Sequence, residues 1–214
     1  MPFAAEEITA QRRQAAQRVL ELLDERGEEI SLAQLAQDGP FSARRLEQLF
    51  ESEDDLFDAV AELWFEPKIA VMEEVLSSNL PPNRKMYEFF ARRFVVQRDQ
   101  FRADPTGFAL ICELGAAQFE RVRSYVDLAD HYLCEIIAQA QAEGFFAGLE
   151  IDQALSLINQ MVTNYTLPDA LIYLGDKVTE EKLAMIIDTI FIGLSGEDGG
   201  SRGVNTLRIA SSQA

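Results

Sequence analysis

The sequence predicts an all-α protein, and three observations carry that prediction. Apolar residues recur at helical spacing almost throughout, as in Ala15, Ala16, Val19, Leu20, Leu22 and Leu23. Alternating β-branched runs bounded by turn residues are missing. Hydroxyl, proline and glycine residues stand where helices would start and stop.

Residues 9 to about 26 form the first amphipathic helix, which stops near Gly27 because glycine accepts the left-handed conformation at a helix end. Ser31-Leu-Ala-Gln34 has the form of a capping box, opening a short second helix over roughly residues 32 to 38. Asp38-Gly39-Pro40 breaks it, and Ser42 caps a third helix to about Phe50. Ser52 caps a long fourth helix through Glu53-Asp54-Asp55, whose carboxylates suit the positive end of the helix dipole. Pro67 falls inside it and predicts a kink or a restart.

After the break at Pro81-Pro82-Asn83, Met86, Phe89, Phe90, Phe94 and Val95 give a fifth helix an aromatic face. Asp104-Pro105 pairs an N-cap with proline at the first helical position and opens a short sixth helix through Leu114. A seventh spans about Ala117 to Glu143 and stops at Gly144, and an eighth runs from about Asp152 to Tyr173. Thr179-Glu-Glu-Lys opens a ninth that ends near Leu194-Ser195-Gly196. The expected architecture is therefore about nine helices: a three-helix N-terminal unit over 1–66, a helical bundle over 67–195 and a Gly/Ser-rich tail over 196–214.

Composition narrows the function. The chain has 214 residues, 48% of them hydrophobic, ample for a core without staples. No run approaches the roughly 18 apolar residues of a membrane span, and the N-terminus lacks a secretory layout, so no membrane and a cytoplasmic setting are expected. Cys112 and Cys134 stand far apart and read as reduced thiols. With His131 the single histidine, a histidine metal site is excluded, and neither a metal nor a cofactor is expected. No acid/base pair or phosphate loop marks an enzyme. The net charge of −17 weighs against nucleic acid, although charge on the docking face matters more than the sum.

Two short helices joined by a tight turn and backed by a third helix form the arrangement in which the second short helix enters a DNA major groove. In register, Ile30-Ser31-Leu32-Ala33-Gln34-Leu35-Ala36 resembles the start of the second helix in the TetR family of bacterial regulators. Phe41-Ser42, Leu46, Phe50, Ser52 and Leu56 fall on that family's next positions without gaps. Thr179 to Leu194 resembles its last helix, and Tyr132 to Leu157, with Gly144 between helices, its central pair. The resemblance implies a helix-turn-helix DNA-binding domain followed by a ligand-binding and dimerisation domain.

There are departures. Glu47 stands where the family usually has a tyrosine, Glu53 where it has a lysine, and Pro40 where it has the turn glycine. Two residues that touch phosphate in the family are thus carboxylates here. Residues 1–60 carry six basic residues against fourteen acidic ones. What remains for DNA is Arg44 and Arg45 at the start of the recognition helix, Gln48 beside them, and Ser31 and Ser42 at helix N-termini. The alternative for Arg44 and Arg45 is a solvated role, paired with Asp38, Glu47 or Glu51.

In the second half, the resemblance implies a cavity lined by Phe90, Phe94, Phe108, Cys112, Phe119, Tyr125, His131 and Asn159, suited to a small apolar or aromatic effector. The alternative is an ordinary aromatic core. Ile158, Val162, Tyr165, Ile187, Ile190, Phe191 and Leu194 give the last two helices broad apolar faces, expected to pair with a second subunit or else to be buried within one. The expected function is a homodimeric transcriptional regulator, a repressor that an effector releases from operator DNA. The rival is a relative that has lost DNA binding and acts through a protein partner.

Overall fold

The computed structural model describes residues 2–26 and 31–196. The predicted stop at Gly27, the register position Ile30 and the tail from 197 onward lie outside the described residues. Among the described residues every regular element is a helix. These are α1 (Pro2–Arg26), α2 (Leu32–Asp38), α3 (Ala43–Leu49), α4 (Glu53–Ser77), α5 (Pro82–Ala103) and α6 (Pro105–Ala117). They continue with α7 (Phe119–Ala142), α8 (Ile151–Met161), α9 (Thr163–Thr166), α10 (Asp169–Leu174), a 3-10 turn (Gly175–Lys177) and α11 (Glu180–Ser195). No helix among them is long and apolar enough to cross a membrane.

The predicted caps form. The Ser31 hydroxyl accepts from the Gln34 N–H at 3.2 Å while Gln34 Oε1 takes the Ser31 N–H at 2.9 Å, the reciprocal pair of a capping box. Ser42, Ser52, Asp104 and Thr179 each accept an amide N–H at the start of α3, α4, α6 and α11. A cap of this kind is worth about 1 kcal/mol. Gly144, with φ 93°, ends α7: the Phe145 N–H reaches the Ala140 carbonyl and the Gly144 N–H the Gln141 carbonyl, each at 3.0 Å.

The boundaries differ in three places. α1 begins at Pro2 rather than near residue 9, and α6 runs to Ala117 rather than Leu114. The predicted eighth helix is broken into α8, α9 and α10. Pro168 forces the break between α9 and α10, because it has no N–H to continue the ladder and holds Leu167 extended at φ −82°, ψ 123°. At the break between α8 and α9 the Thr163 hydroxyl bonds the Asn159 carbonyl at 2.9 Å. By contrast, α4 is assigned as one helix through Pro67. Proline there leaves the Leu63 carbonyl without its ladder donor, and the buried residues before and after it, Val60, Ala61, Val71 and Met72, keep the helix continuous.

Two cores result. One joins α1, α2, α3 and the first half of α4 through Ala15, Val19, Leu22, Leu35, Leu46 and Leu56. The other joins the second half of α4 to α5, α7, α8 and α11 through Met72, Phe90, Phe94, Ile136, Ile158 and Ile187. Phe94 meets Tyr165 edge-on at 5.3 Å, and the Tyr165 hydroxyl donates to the Thr179 carbonyl at 3.0 Å. Such aromatic pairs add about 0.5–1.5 kcal/mol beyond the area they bury. α4 belongs to both cores.

Candidate functional site

The α2–turn–α3 unit rests on α1 and α4. Gly39 makes its turn possible, since a Cβ there would lie 2.5 Å from the Leu35 carbonyl oxygen. On α3, Leu46 and Leu49 are buried while Ala43, Arg44, Glu47 and Gln48 face solvent. Arg45 is half-buried: its Nε donates to Gln11 Oε1 at 2.7 Å and an Nη to Gln48 Oε1 at 3.0 Å. Among the described residues no hydrogen bond or ion pair engages Arg44. The other arginines of this unit with described side chains are committed elsewhere. Arg12 forks onto Asp55, with Nη···O distances of 2.5 and 2.9 Å, and also donates to the Leu49 carbonyl. Arg13 forks onto Glu66, and Arg18 pairs with Glu21. The Arg12 guanidinium holds the Asp55 carboxyl below its ordinary range, aided by the Glu51 N–H.

The start of α2 is occupied by a carboxylate from the same chain. Glu53 reaches across from α4, and its two oxygens accept the Leu32 N–H at 2.9 and 3.0 Å. With the Ser31 and Gln34 amides paired in the capping box and the Leu32 amide on Glu53, three of the donors there are already satisfied.

A cavity of about 730 Å³ opens among α4, α5, α6, α7 and the α8–α10 segment. Its walls are mostly apolar and include Trp64, Ile69, Met72, Phe89, Ile111, Val122 and Leu133. Phe119, 46% exposed, and Tyr125, stacked on Phe65 at 4.5 Å, stand on its rim. Into this apolar space project Lys68 from α4 and Arg93 and Gln97 from α5. Lys68 is only 6% exposed, and its Nζ lies 4.8 Å from the Trp64 ring centre and 5.2 Å from that of Phe65. Burial, reinforced by the positive charge of Arg93, pushes its ammonium down to about 7. Arg93 crosses the Phe89 ring at 4.8 Å, and burial pulls its guanidinium down to about 10 against the opposing pull of Asp130. Asp130 also accepts from Asn159 Nδ2 at 2.9 Å. Cys112 lines the cavity too, but burial pushes its thiol up to about 12, so it stays protonated and unreactive.

Compared with known protein families, residues 82–187 match the model described as tetracyclin repressor-like, C-terminal domain. The chain belongs to the TetR family. Among solved structures, the TetR family transcriptional regulator PfmR from Thermus thermophilus shares 20% identity and a TM-score of 0.56, covering 84% of this chain and 96% of that one. At that identity the likeness speaks to fold. No curated protein matches the sequence.

Against this TetR fold, the residues singled out from sequence divide. Cys112, Phe119, Tyr125 and Asn159 line the cavity. Phe90, Phe94 and Phe108 do not: all three are at most 1% exposed and build the core behind it, Phe108 against Trp64 and Phe101. His131 is exposed, because one step of about 100° along α7 from the cavity-lining Asp130 turns it to solvent. The stripe Ile158, Val162, Tyr165, Ile187, Ile190 and Phe191 is buried within the protomer, packed with α5 and α7 in the second core, and Leu194 is half-buried beside it. For these residues the alternative of burial within one subunit holds. The apolar side chains that α8 and α11 leave exposed are Leu157, Met161, Met185 and Ile192, the last two 65% and 76% exposed.

Sequence reasoning missed Lys68, Arg93 and Gln97. A signal was present: Lys68 continues the apolar row Val60, Trp64, Val71 and Val75, and Arg93 and Gln97 continue the row Met86 and Phe89. A charged residue on a buried stripe marks either a structural ion pair or a site.

Proposed function

We propose that this TetR family member is a cytoplasmic, homodimeric, DNA-binding transcriptional regulator, a repressor released by a small effector that enters the cavity between α4 and α7. The observation that carries this reading is the course of α4. Its first turn supports α2 through Glu53 and, through Asp55 and the Arg12 guanidinium, the end of α3, and just past its midpoint Lys68 lines the cavity. Arg121, at the start of α7, grips Asp54 at 2.5 Å and Asp58 at 2.7 Å, so a ligand that parts α7 from α4 pulls directly on the DNA-reading end. The effector must prefer one arrangement to shift the balance between them.

Arg44 and Gln48 are assigned to base edges, with Arg45 braced beside them and the amides capped by Ser42 facing phosphate. Ser31, tied into its capping box, contributes position rather than contact. Pairing of the two-fold related α8 and α11 through Leu157, Met161, Met185 and Ile192 would set two recognition helices on successive groove faces.

Fluorescence anisotropy against the upstream DNA of its own gene tests the reading. Specific, salt-sensitive binding that Arg44→Ala abolishes is expected. Glu53 over the α2 amides, with Glu47 exposed on α3, favours a second reading in which DNA binding is lost and the unit docks a protein partner. Absence of DNA binding at low salt would select it.

A further inference from the structure

We propose that the cavity is built for an apolar monocarboxylic acid, whose carboxylate lies between Lys68 and Arg93 with Gln97 as a third donor. This deepens the reading of the cavity as the effector site and rests on it.

The argument starts from groups that are buried without partners. Among the described residues, no hydrogen bond or ion pair reaches Lys68 Nζ, which lies over the rings of Trp64 and Phe65. Arg93 Nε and Gln97 Nε2 are buried and likewise have no hydrogen-bond partner. Burying donors in this way costs free energy unless something pairs with them. Lys85 shows how the same chain treats a structural lysine. It is equally buried, and its Nζ donates to the Leu76 carbonyl and to Gln139 Oε1, each at 2.9 Å. Lys68 lacks any such arrangement and instead faces open space.

The carboxylates of the cavity wall are too engaged or too distant to serve. Asp130 holds Asn159 and acts on Arg93 only through space, with no ion pair between them, while Asp54 holds Arg121 and Glu53 holds the Leu32 N–H. Asp169 is exposed and acts on Cys112 rather than on Lys68. Two cations one helix apart, within electrostatic reach of each other, therefore share a mostly apolar chamber. A neutral ligand would leave both unpaired and a cation would be repelled. An acid satisfies both, while the walls of Trp64, Met72, Phe89 and Val122 take its hydrocarbon. Entry of the anion also raises the affinity of Lys68 for its proton, so binding takes up a fraction of a proton near neutral pH.

Isothermal titration calorimetry at pH 7.5 with octanoate, octanamide and octylamine separates the possibilities, since the three share a chain and differ in charge. Octanoate is expected to bind at least ten-fold more tightly than octanamide, with no binding of the amine. Its heat should vary with the ionisation heat of the buffer. Lys68→Met and Arg93→Gln should each weaken octanoate at least ten-fold, and Lys68→Met should remove the buffer dependence. Equal affinity for acid and amide, or unchanged octanoate binding in both variants, overturns the acid assignment while leaving a ligand cavity. Silence from all three probes overturns the effector-site reading as well.

Discussion

Replacing Lys68 with methionine should make the protein more stable, and more so in acid than in alkali. In the folded chain the ammonium is pushed down from 10.5 to about 7, chiefly by burial. At about 1.4 kcal/mol per pH unit, carrying that charge costs the fold up to roughly 5 kcal/mol. The Trp64 and Phe65 rings return about 1–2 kcal/mol of this, and water admitted to the cavity screens more, leaving a net cost of about 2 kcal/mol. Methionine keeps the volume and removes the charge. The sign follows from proton counting. Below about pH 7 both folded and unfolded wild-type chains carry the proton, and the whole penalty is present. Between about 7 and 10.5 the unfolded chain holds a proton that the folded chain has released, so the wild type gains stability as pH rises and closes on the variant. Thermal melts followed by circular dichroism should show Lys68→Met about 4–8 °C above wild type at pH 6. The gap should narrow at pH 8 and nearly vanish at pH 10. A variant that melts below wild type at pH 6, or a gap that does not change with pH, refutes the account of Lys68 as an unpaired buried cation.

Arg44→Ala should weaken operator binding by about 1–3 kcal/mol, roughly 5- to 150-fold by anisotropy, without moving the melting temperature, because the side chain is exposed and unpaired. Glu53→Gln withdraws a carboxylate from the start of α2. DNA affinity should rise about five-fold at low salt, the gain fading by about 0.5 M salt, with a stability loss of about 0.3–1 kcal/mol. Asp55→Asn should lower stability by about 1–3 kcal/mol at neutral pH. Its carboxyl is depressed in the fold, so the contribution is present above the unfolded value near 4 and lost as pH falls through the folded one; melts of the variant should converge on wild type in acid. Met185→Glu with Ile192→Glu should turn a dimer into a monomer in light-scattering chromatography, with the monomer's helicity intact.

The helices and their caps were legible in sequence because they depend on neighbours in the chain. Ser31 and Gln34, Ser42, Ser52, Asp104 and Gly144 act within a turn of where they stand. The same local reading took residues 152–173 as one helix, weighing apolar period over Pro168. Side-chain destinations were less legible because they depend on which stripe meets which. Phe90 and Phe94 have the composition of a cavity wall, yet the α5 face that holds them turns to α9 and α11, and the neighbouring row carries Arg93 and Gln97 to the open space instead. The family resemblance pointed to helices that surround the cavity, and solvent exposure was needed to choose the side of each.

The membership of α4 in both cores has a consequence for engineering. Val60 packs in the first core, Val71 and Val75 pack in the second, and Leu110, Ile111 and Leu114 of α6 lean on the first from the far side of the cavity. A cut near residue 66 would strip the reading unit of that α6 buttress and of Arg121. The reading unit is therefore not a cassette. It should denature together with the bundle in a single calorimetric transition, and a chimera that grafts this bundle onto a foreign helix-turn-helix unit must carry all of α4 and the facing surface of α6.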